Sequence, residues 1–194
     1  MYVGRIMHTN LITVSPKTTL VEARAQIDKW GIDHLLVVDA KGKLVGILSD
    51  RDLKLYWASP ANTLSSHELG YLLEKILVEM IMTRTVKTIT TETTIERAAF
   101  IMQVNNINAL PVMENEELVG IITSTDVMEV LLEAIGMNED SVRISVLVDD
   151  RIGKISEFST ILRDLDINIQ SLITWPFKDY TDLHQLVLSL TGSD

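Results

Sequence analysis

The chain has 194 residues, 46% of them apolar, a formal net charge of −10 and no cysteine. That length suits one large or two modest domains with a buried core, and the missing cysteines exclude disulfides, thiolate metal sites and cysteine nucleophiles. The acidic balance argues against a nucleic-acid groove, and with no apolar run of membrane-spanning length and no secretion pattern in Met1-Tyr2-Val3-Gly4-Arg5, a cytoplasmic protein with no membrane partner is expected.

Read from its start, the chain offers a short strand at Thr13-Val14. A helix follows with Leu20, Ala23, Ile27 and Trp30 on one face, the 3.6-residue spacing of a buried stripe. Thr19 followed by Glu22 is spaced for a capping box at its start. Leu35 to Val38 and Leu44 to Leu48 are short apolar runs flanking a Lys-Gly-Lys turn and read as buried strands. A second helix runs from Asp52, whose charge the helix dipole favours at an N-terminus. Ser59 to Ser66 is the most loop-like stretch. From His67 to Met80 a helix resumes, with Leu69, Leu72, Leu73, Ile76 and Leu77 on a face that packs on the first unit or on another subunit.

The same order then begins again. Met7 matches Met82, and Thr18-Thr19-Leu20 with Ala23 matches Thr93-Thr94-Ile95 with Ala98, at a constant offset of 75 residues. Gly31 to Val38 aligns with Asn106 to Met113 at that offset, which falls to 74 at Gly46 and Gly120. The lost residue lies in the turn between two strands, where length changes cost little. The second copy is therefore expected to place Thr88-Ile89 in a strand, Ile95, Ala98 and Met102 on a buried helix face, a capping box from Thr93 to Glu96, and a helix from Asp126 that Gly136 closes.

Met137 to Ser141 reads as a linker, after which the pattern changes. Val142, Ile144, Val146 and Val148 alternate with Arg143, Ser145 and Leu147, the period of a strand with one buried face. A turn at Asp149 to Gly153 leads to a helix with Ile155, Phe158, Leu162 and Leu165 on one side. Asp166 to Trp175 reads as a second strand, and Leu186, Val187, Leu188 and Leu190 mark a third after a turn around Pro176 to Asp182. The expected organisation is α/β (α+β): a repeat over 1–58, an inter-repeat loop and helix over 59–80, a second repeat over 81–136, a linker over 137–141 and a C-terminal segment over 142–194.

The chemistry concentrates where each repeat ends its last strand, at Gly46-Ile47-Leu48-Ser49-Asp50-Arg51-Asp52 and again at Gly120-Ile121-Ile122-Thr123-Ser124-Thr125-Asp126. An ionised Asp only accepts hydrogen bonds, so its oxygens can take the vicinal hydroxyls of a ribose, while Ser or Thr donates or accepts beside it. A second role also fits, an Asp that caps its helix with the hydroxyl satisfying the backbone. Arg51 is a permanent cation able to fork onto phosphate where the second copy has Thr125, or it pairs with Asp50 or Asp52. His8, His34, His67 and His184 lack metal-ligand spacing, so no metal site is expected. No phosphate loop, nucleophile elbow or carboxylate pair is present, which argues against an enzyme.

Each repeat resembles a CBS domain in its Met opening at Met7 and Met82-Thr83, its Ile-x-x-Leu-x-Val strand, and its Gly-apolar-apolar-Ser/Thr-x-x-Asp ending. Two in tandem resemble a Bateman module, which implies an adenine nucleotide (AMP, ADP, ATP or a related adenosyl compound) bound between repeats as a regulatory ligand, with no cofactor required. The resemblance implies ribose at Asp52 and Asp126, with Ser49 and Thr123 near ribose or phosphate. Thr13 and Thr88 belong to the same implied sites, and the base lies against His34-Leu35-Leu36 and Ala109-Leu110-Pro111, segments that equally suit core strands. Pro111 stands where the first copy has Leu36, a difference between the two base contacts. It also implies a homodimer through the apolar helices after Asp52 and Asp126.

The C-terminal segment resembles an ACT domain, a βαββαβ fold that binds amino acids or mediates regulatory dimerisation. Its marks are the Asp150-Arg151-x-Gly153 turn and the Asp166-Ile167-Asn168-Ile169 strand start, and it lacks the last helix and strand. An amino-acid site at Asp150, Ile152, Gly153 and Asn168 is implied, although a plain turn and strand start also accounts for these residues. A CBS pair followed by an ACT segment is similar to the acetoin-utilisation (AcuB-like) family, to which Ser49-Asp50-Arg51-Asp52-Leu53 and the inter-repeat helix correspond. The expectation is a non-catalytic sensor whose nucleotide shifts the repeats, read by the ACT-like segment or by an unidentified regulated protein. The alternative is a dimeric scaffold that needs no ligand.

Overall fold

A computed structural model describes residues 1–58, 73–137, 141–176, 180 and 182–192, divided between two units, Met1–Val127 and Met128–Asp194. In the first unit β1 (Thr13–Val14), α1 (Leu20–Trp30), β2 (His34–Val38), β3 (Leu44–Ser49) and α2 (Asp50–Ala58) follow in order. A short helix α3 (Val78–Ile81) leads to the second copy: β4 (Ile89–Thr90), α4 (Ile95–Asn105), β5 (Ala109–Glu114), β6 (Glu117–Thr123) and α5 (Ser124–Ala134). Each copy forms its own sheet, ordered β1-β2-β3 and β4-β5-β6, in which the short first strand runs parallel to the middle one and the hairpin is antiparallel. The chain is thus mixed α/β, with a repeated sheet and helix arrangement.

Local chemistry accounts for the small differences between copies. The Thr19 hydroxyl accepts the Glu22 N–H while the Glu22 carboxylate accepts the Thr19 N–H, and Gly31 closes α1 at φ 61°. In the second copy the cap is Thr94, which accepts the Arg97 N–H at 3.3 Å, and Thr93 instead takes the Thr90 N–H at 3.1 Å. The expected box from Thr93 to Glu96 is therefore not formed: the cap sits one residue later, and Arg97, which stands where Glu22 does, cannot accept a bond. Strand β4 likewise starts at Ile89, leaving Thr88 just outside it. The first hairpin turn is braced by the Asp39 carboxylate, which accepts the Lys41 and Lys43 N–H groups at 2.9 Å. The second closes one residue shorter with Asn115 and Glu116 at φ 49° and 67°.

Leu20, Ala23, Ile27, Leu35, Val37, Leu48 and Leu53 form the first repeat's core, but Trp30 is half exposed and its indole N–H donates to Gln26. Leu73, Val78 and Met82 join that core, so this stretch packs on the first repeat. The expected loop over 59–66 and the helical residues His67, Leu69 and Leu72 lie outside the described residues. The described part does not run helically to Met80: a turn at Glu74-Lys75 intervenes, and Leu77 bridges to Thr19. The backbone explains the break, because the Leu20 N–H donates to the Ile76 carbonyl and the Val78 N–H to the Thr18 carbonyl.

The chain start does the reciprocal thing on the second repeat. The Val3 and Gly4 N–H groups donate to the Thr93 and Thr91 carbonyls, the Ile95 N–H donates to the Met1 carbonyl, and the Val3 side chain is fully buried. Each repeat's lead-in is thus built onto the other repeat. This explains the recurring Met and Gly of the motif. A Cβ on Gly120 would run into the Met7 side chain and the His8 carbonyl, and one on Gly46 into the Met82 side chain and the Thr83 carbonyl.

The second unit holds β7 (Val142–Asp149), α6 (Lys154–Asp164), β8 (Ile167–Pro176) and β9 (Leu183–Gly192), an antiparallel sheet ordered β7-β9-β8. Phe158 and Leu162 of α6 pack against Ile144, Val146, Val148, Leu186, Leu188 and Leu190. The buried stripe is narrower than the spacing suggested, since Val142, Ile155 and Leu165 are exposed. Asp166 adopts φ 59° in the turn, so β8 starts at Ile167. Residues 138–140 of the expected linker and 177–179 and 181 of the expected turn lie outside the described residues. Among the described residues no helix is long and apolar enough to cross a membrane.

Candidate functional site

Strand register assembles the site twice. His34 lies opposite Ser49, and Ala109 opposite Thr123, so the start of each middle strand sits beside the hydroxyl that ends each hairpin. The following helices begin at Asp50 and Ser124, two residues before the expected start, which makes Asp52 and Asp126 their third residues. Ser49 caps the first: its hydroxyl accepts the Asp52 N–H at 3.2 Å, while Asp52 Oδ2 accepts the Ser49 N–H at 2.9 Å and hydroxyl at 2.6 Å. Thr123 and Asp126 repeat this at 2.7 and 2.8 Å. The capping role is therefore real, and it uses one oxygen of each carboxylate.

The other oxygens differ. Among the described residues Asp52 Oδ1 has no partner, whereas Asp126 Oδ1 accepts a bond from His8 Nε2 at 2.9 Å. Burial pushes the Asp126 carboxyl up, but the Thr123 N–H, His8 and the Thr123 hydroxyl together outweigh it and hold it below the usual carboxylate value. His34 is pushed down by burial against the opposing fields of Asp33 and Asp52, and its Nδ1 is buried with no hydrogen-bond partner among the described residues. It is thus a neutral ring, fitted to stack or to exchange one hydrogen bond with a polar heterocycle.

Both carboxylates open on one cleft of about 1350 Å³ within the first unit, larger than the ~300–1,000 Å³ of a typical single-ligand pocket. His34, Leu36, Ser49, Arg51, Asp52, Ala109, Thr123 and Asp126 line it. Leu35, Leu110 and Pro111 are instead buried in their sheets, and Thr13 and Thr88 lie away from the cleft wall. Strand alternation accounts for Leu35 and Leu110, since neighbours on one strand face opposite sides; Pro111, two residues after Ala109, is buried without joining the wall. Sequence reasoning missed His8, Trp30, Thr83 and Lys87 on the wall. The lead-in residues His8 and Thr83 could have been found from their matched positions, because each directly follows its repeat's opening Met.

Charge is unequal across the cleft. Asp50 pairs with Arg24 at 2.8 Å and with Lys54, so it leaves its neighbour alone. Arg51 makes no ion pair among the described residues, and neither does the cleft residue Lys87. The Asp126 side has Ser124 and Thr125 where the Asp52 side has Asp50 and Arg51.

In the second unit Asp150, Ile152 and Gly153 line an open concavity of about 690 Å³ with Arg151, Lys154 and His184. Arg151 and Lys154 are both tied to Glu157 at 3.0 Å. Asn168 is not brought to this place, since it sits on β8 opposite Thr191. Among the described residues no group of three His, Asp or Glu could hold a metal ion.

Comparison with known proteins places this geometry. The family model described as CBS domain matches residues 3–59 and 78–133, and so ends before β7. The fold is similar to the CBS domain pair of protein MJ0100 in complex with 5-methylthioadenosine and S-adenosyl-L-methionine, at 30% identity and TM-score 0.58 over 68% of this chain and 95% of that one. It is similar to CBSX2 in complex with AMP, at 28% identity and TM-score 0.56 over 68% and 96%. A third similar structure, described as an acetoin utilization protein (AcuB) from Vibrio cholerae, gives 29% identity and TM-score 0.57 over 72% and 98%.

Proposed function

Because this chain belongs to the CBS-domain family, we propose that its paired repeats form a regulatory module that takes an adenine nucleotide or related adenosyl ligand in the cleft of the first unit. The observation that carries the reading is the state of Asp52: one oxygen is fixed by the Ser49 cap, and the other stands in the cleft wall without a partner among the described residues. A carboxylate held this way is oriented before a ribose arrives, and charge-assisted bonds to hydroxyls are stronger than neutral ones. Arg51 and Lys87 supply the positive charge for phosphate, and His34 and Leu36 offer a polar and an apolar contact for the base. The adenosyl ligands of the MJ0100 pair and of CBSX2 support the ligand class.

The ligand regulates by binding one arrangement of the repeats more tightly than another. The swapped lead-ins give it purchase, because each half of the cleft includes a segment that belongs to the other repeat in sequence. The second unit serves as an ACT-like reader or dimerisation element, and a homodimer forms through the apolar helices after Asp52 and Asp126, which leave Leu55, Tyr56, Met128 and Leu132 exposed. Likeness to the Vibrio cholerae protein supports acetoin utilisation as the process served, through a regulated protein partner.

Calorimetric titration of nucleotide-free protein with AMP, ADP, ATP, NAD and S-adenosylmethionine tests the reading. At least one ligand is expected to bind at micromolar Kd, about −8 kcal/mol. Arg51→Ala is expected to weaken AMP and ATP about fivefold to tenfold and to leave adenosine unchanged, because the lost contact is to phosphate. No heat with any ligand from folded protein would favour the ligand-independent dimeric scaffold.

A further inference from the structure

We propose that His8 is a built-in competitor for the ribose-binding oxygen of Asp126, so that the two halves of the cleft bind with unequal affinity and the Asp126 half opens only when this histidine lets go. The inference rests on the ribose reading of the two carboxylates given above.

The comparison that carries it is internal to the chain. His8 and Thr83 occupy matched positions, each one residue after the Met that opens its repeat. Their backbones do the same work on the opposite repeat: His8 exchanges N–H to carbonyl bonds with Ile121 at 2.9 and 3.0 Å, and Thr83 does so with Ile47 at 2.9 and 3.0 Å. Their side chains do not. The His8 ring reaches Asp126 Oδ1, whose companion oxygen already accepts two bonds from Thr123, so both oxygens are taken. Thr83 is too short to do the same, and Asp52 Oδ1 has no partner among the described residues.

The latch can open. The His8 side chain is 62% exposed while Asp126 is only 16% exposed, so the ring can swing into solvent without disturbing the backbone bridge beneath it. A ribose diol arriving at Asp126 replaces one charge-assisted bond with another and gains little from the exchange, whereas at Asp52 it forms bonds that did not exist. Coupling is reciprocal: a ligand that displaces His8 frees the side chain of the first lead-in, and any change that loosens His8 strengthens the ligand.

The test titrates adenosine into the isotope-labelled full chain and reads each half by its own backbone amides, Ser124 and Thr125 for the Asp126 half and Asp50 and Arg51 for the other. His8→Thr installs the residue of the matched position and keeps the backbone bridge. It is expected to tighten the Asp126 half about tenfold and to leave the Asp52 half unchanged, and His8→Ala is expected to do the same. A gain of affinity is the deciding sign, since loss of a merely structural contact would weaken binding. In parallel, the Asp126 carboxyl is expected to titrate at higher pH in His8→Thr, because one of the bonds holding it down is gone. Adenosine binding by the unsubstituted chain with no gain in either variant overturns this inference alone. No adenosine binding by the unsubstituted chain overturns the ribose reading, and this inference with it.

Discussion

Asp52→Ala is expected to weaken AMP binding by at least about 100-fold at the half of the cleft that contains it. Two hydroxyl bonds to a carboxylate are lost, each worth roughly 1.5–3 kcal/mol when a charged group takes part, and tenfold in Kd corresponds to about 1.4 kcal/mol. The same substitution removes the third-residue side chain that braces Ser49, so a loss of about 1 kcal/mol in stability accompanies it. Asp52→Asn separates the effects. Its amide oxygen still accepts the Ser49 N–H but carries no charge, so stability is retained and binding weakens by about tenfold. Equal affinity in wild type and both variants would remove Asp52 from the site.

The second large effect is on the fold. Gly46→Val and Gly120→Val each force a branched side chain against the methionine and backbone carbonyl of the lead-in that crosses them, and a cost of about 1–3 kcal/mol is expected for each. The damage is predicted to be non-local, loosening the lead-in from the opposite repeat rather than the hairpin that carries the glycine. A double-mutant cycle decides this: Met82→Ala combined with Gly46→Val, or Met7→Ala with Gly120→Val, is expected to cost less than the sum of the single changes. Additive costs would show that the glycines matter only to their own strands. Chemical denaturation followed by circular dichroism gives the four values.

Those glycines also mark how far the sequence can be read. The repeat itself was legible, because the matching of Met7 with Met82, Ala23 with Ala98 and Ser49 with Thr123 needs no third dimension. So were the hairpins, and the Ser49-Asp52 and Thr123-Asp126 spacing that puts a hydroxyl and a carboxylate together at a helix start. What stayed hidden was non-local. His8 and Asp126 stand 118 residues apart in sequence, and no local pattern announces that the chain start is built onto the second repeat. Periodicity overstated burial for Trp30, Ile155 and Leu165 because an apolar residue at the end of a stripe keeps the spacing while it leaves the contact. The cap at Thr94 was misplaced for a local reason, since two adjacent threonines offer the same hydroxyl and only backbone geometry chooses between them. Within the stretches expected to face a base, Leu36 and Ala109 line the cleft while Leu35 and Leu110 face the core, a division that alternation along a strand sets.

The most direct test of a ligand in the cleft is an amide chemical-shift map of the full chain with and without AMP. The account predicts perturbations centred on His34, Ser49, Arg51, Asp52 and Thr83, on the wall of the first unit. Shifts that are absent, or confined to Asp150 to Lys154 in the second unit, would contradict it.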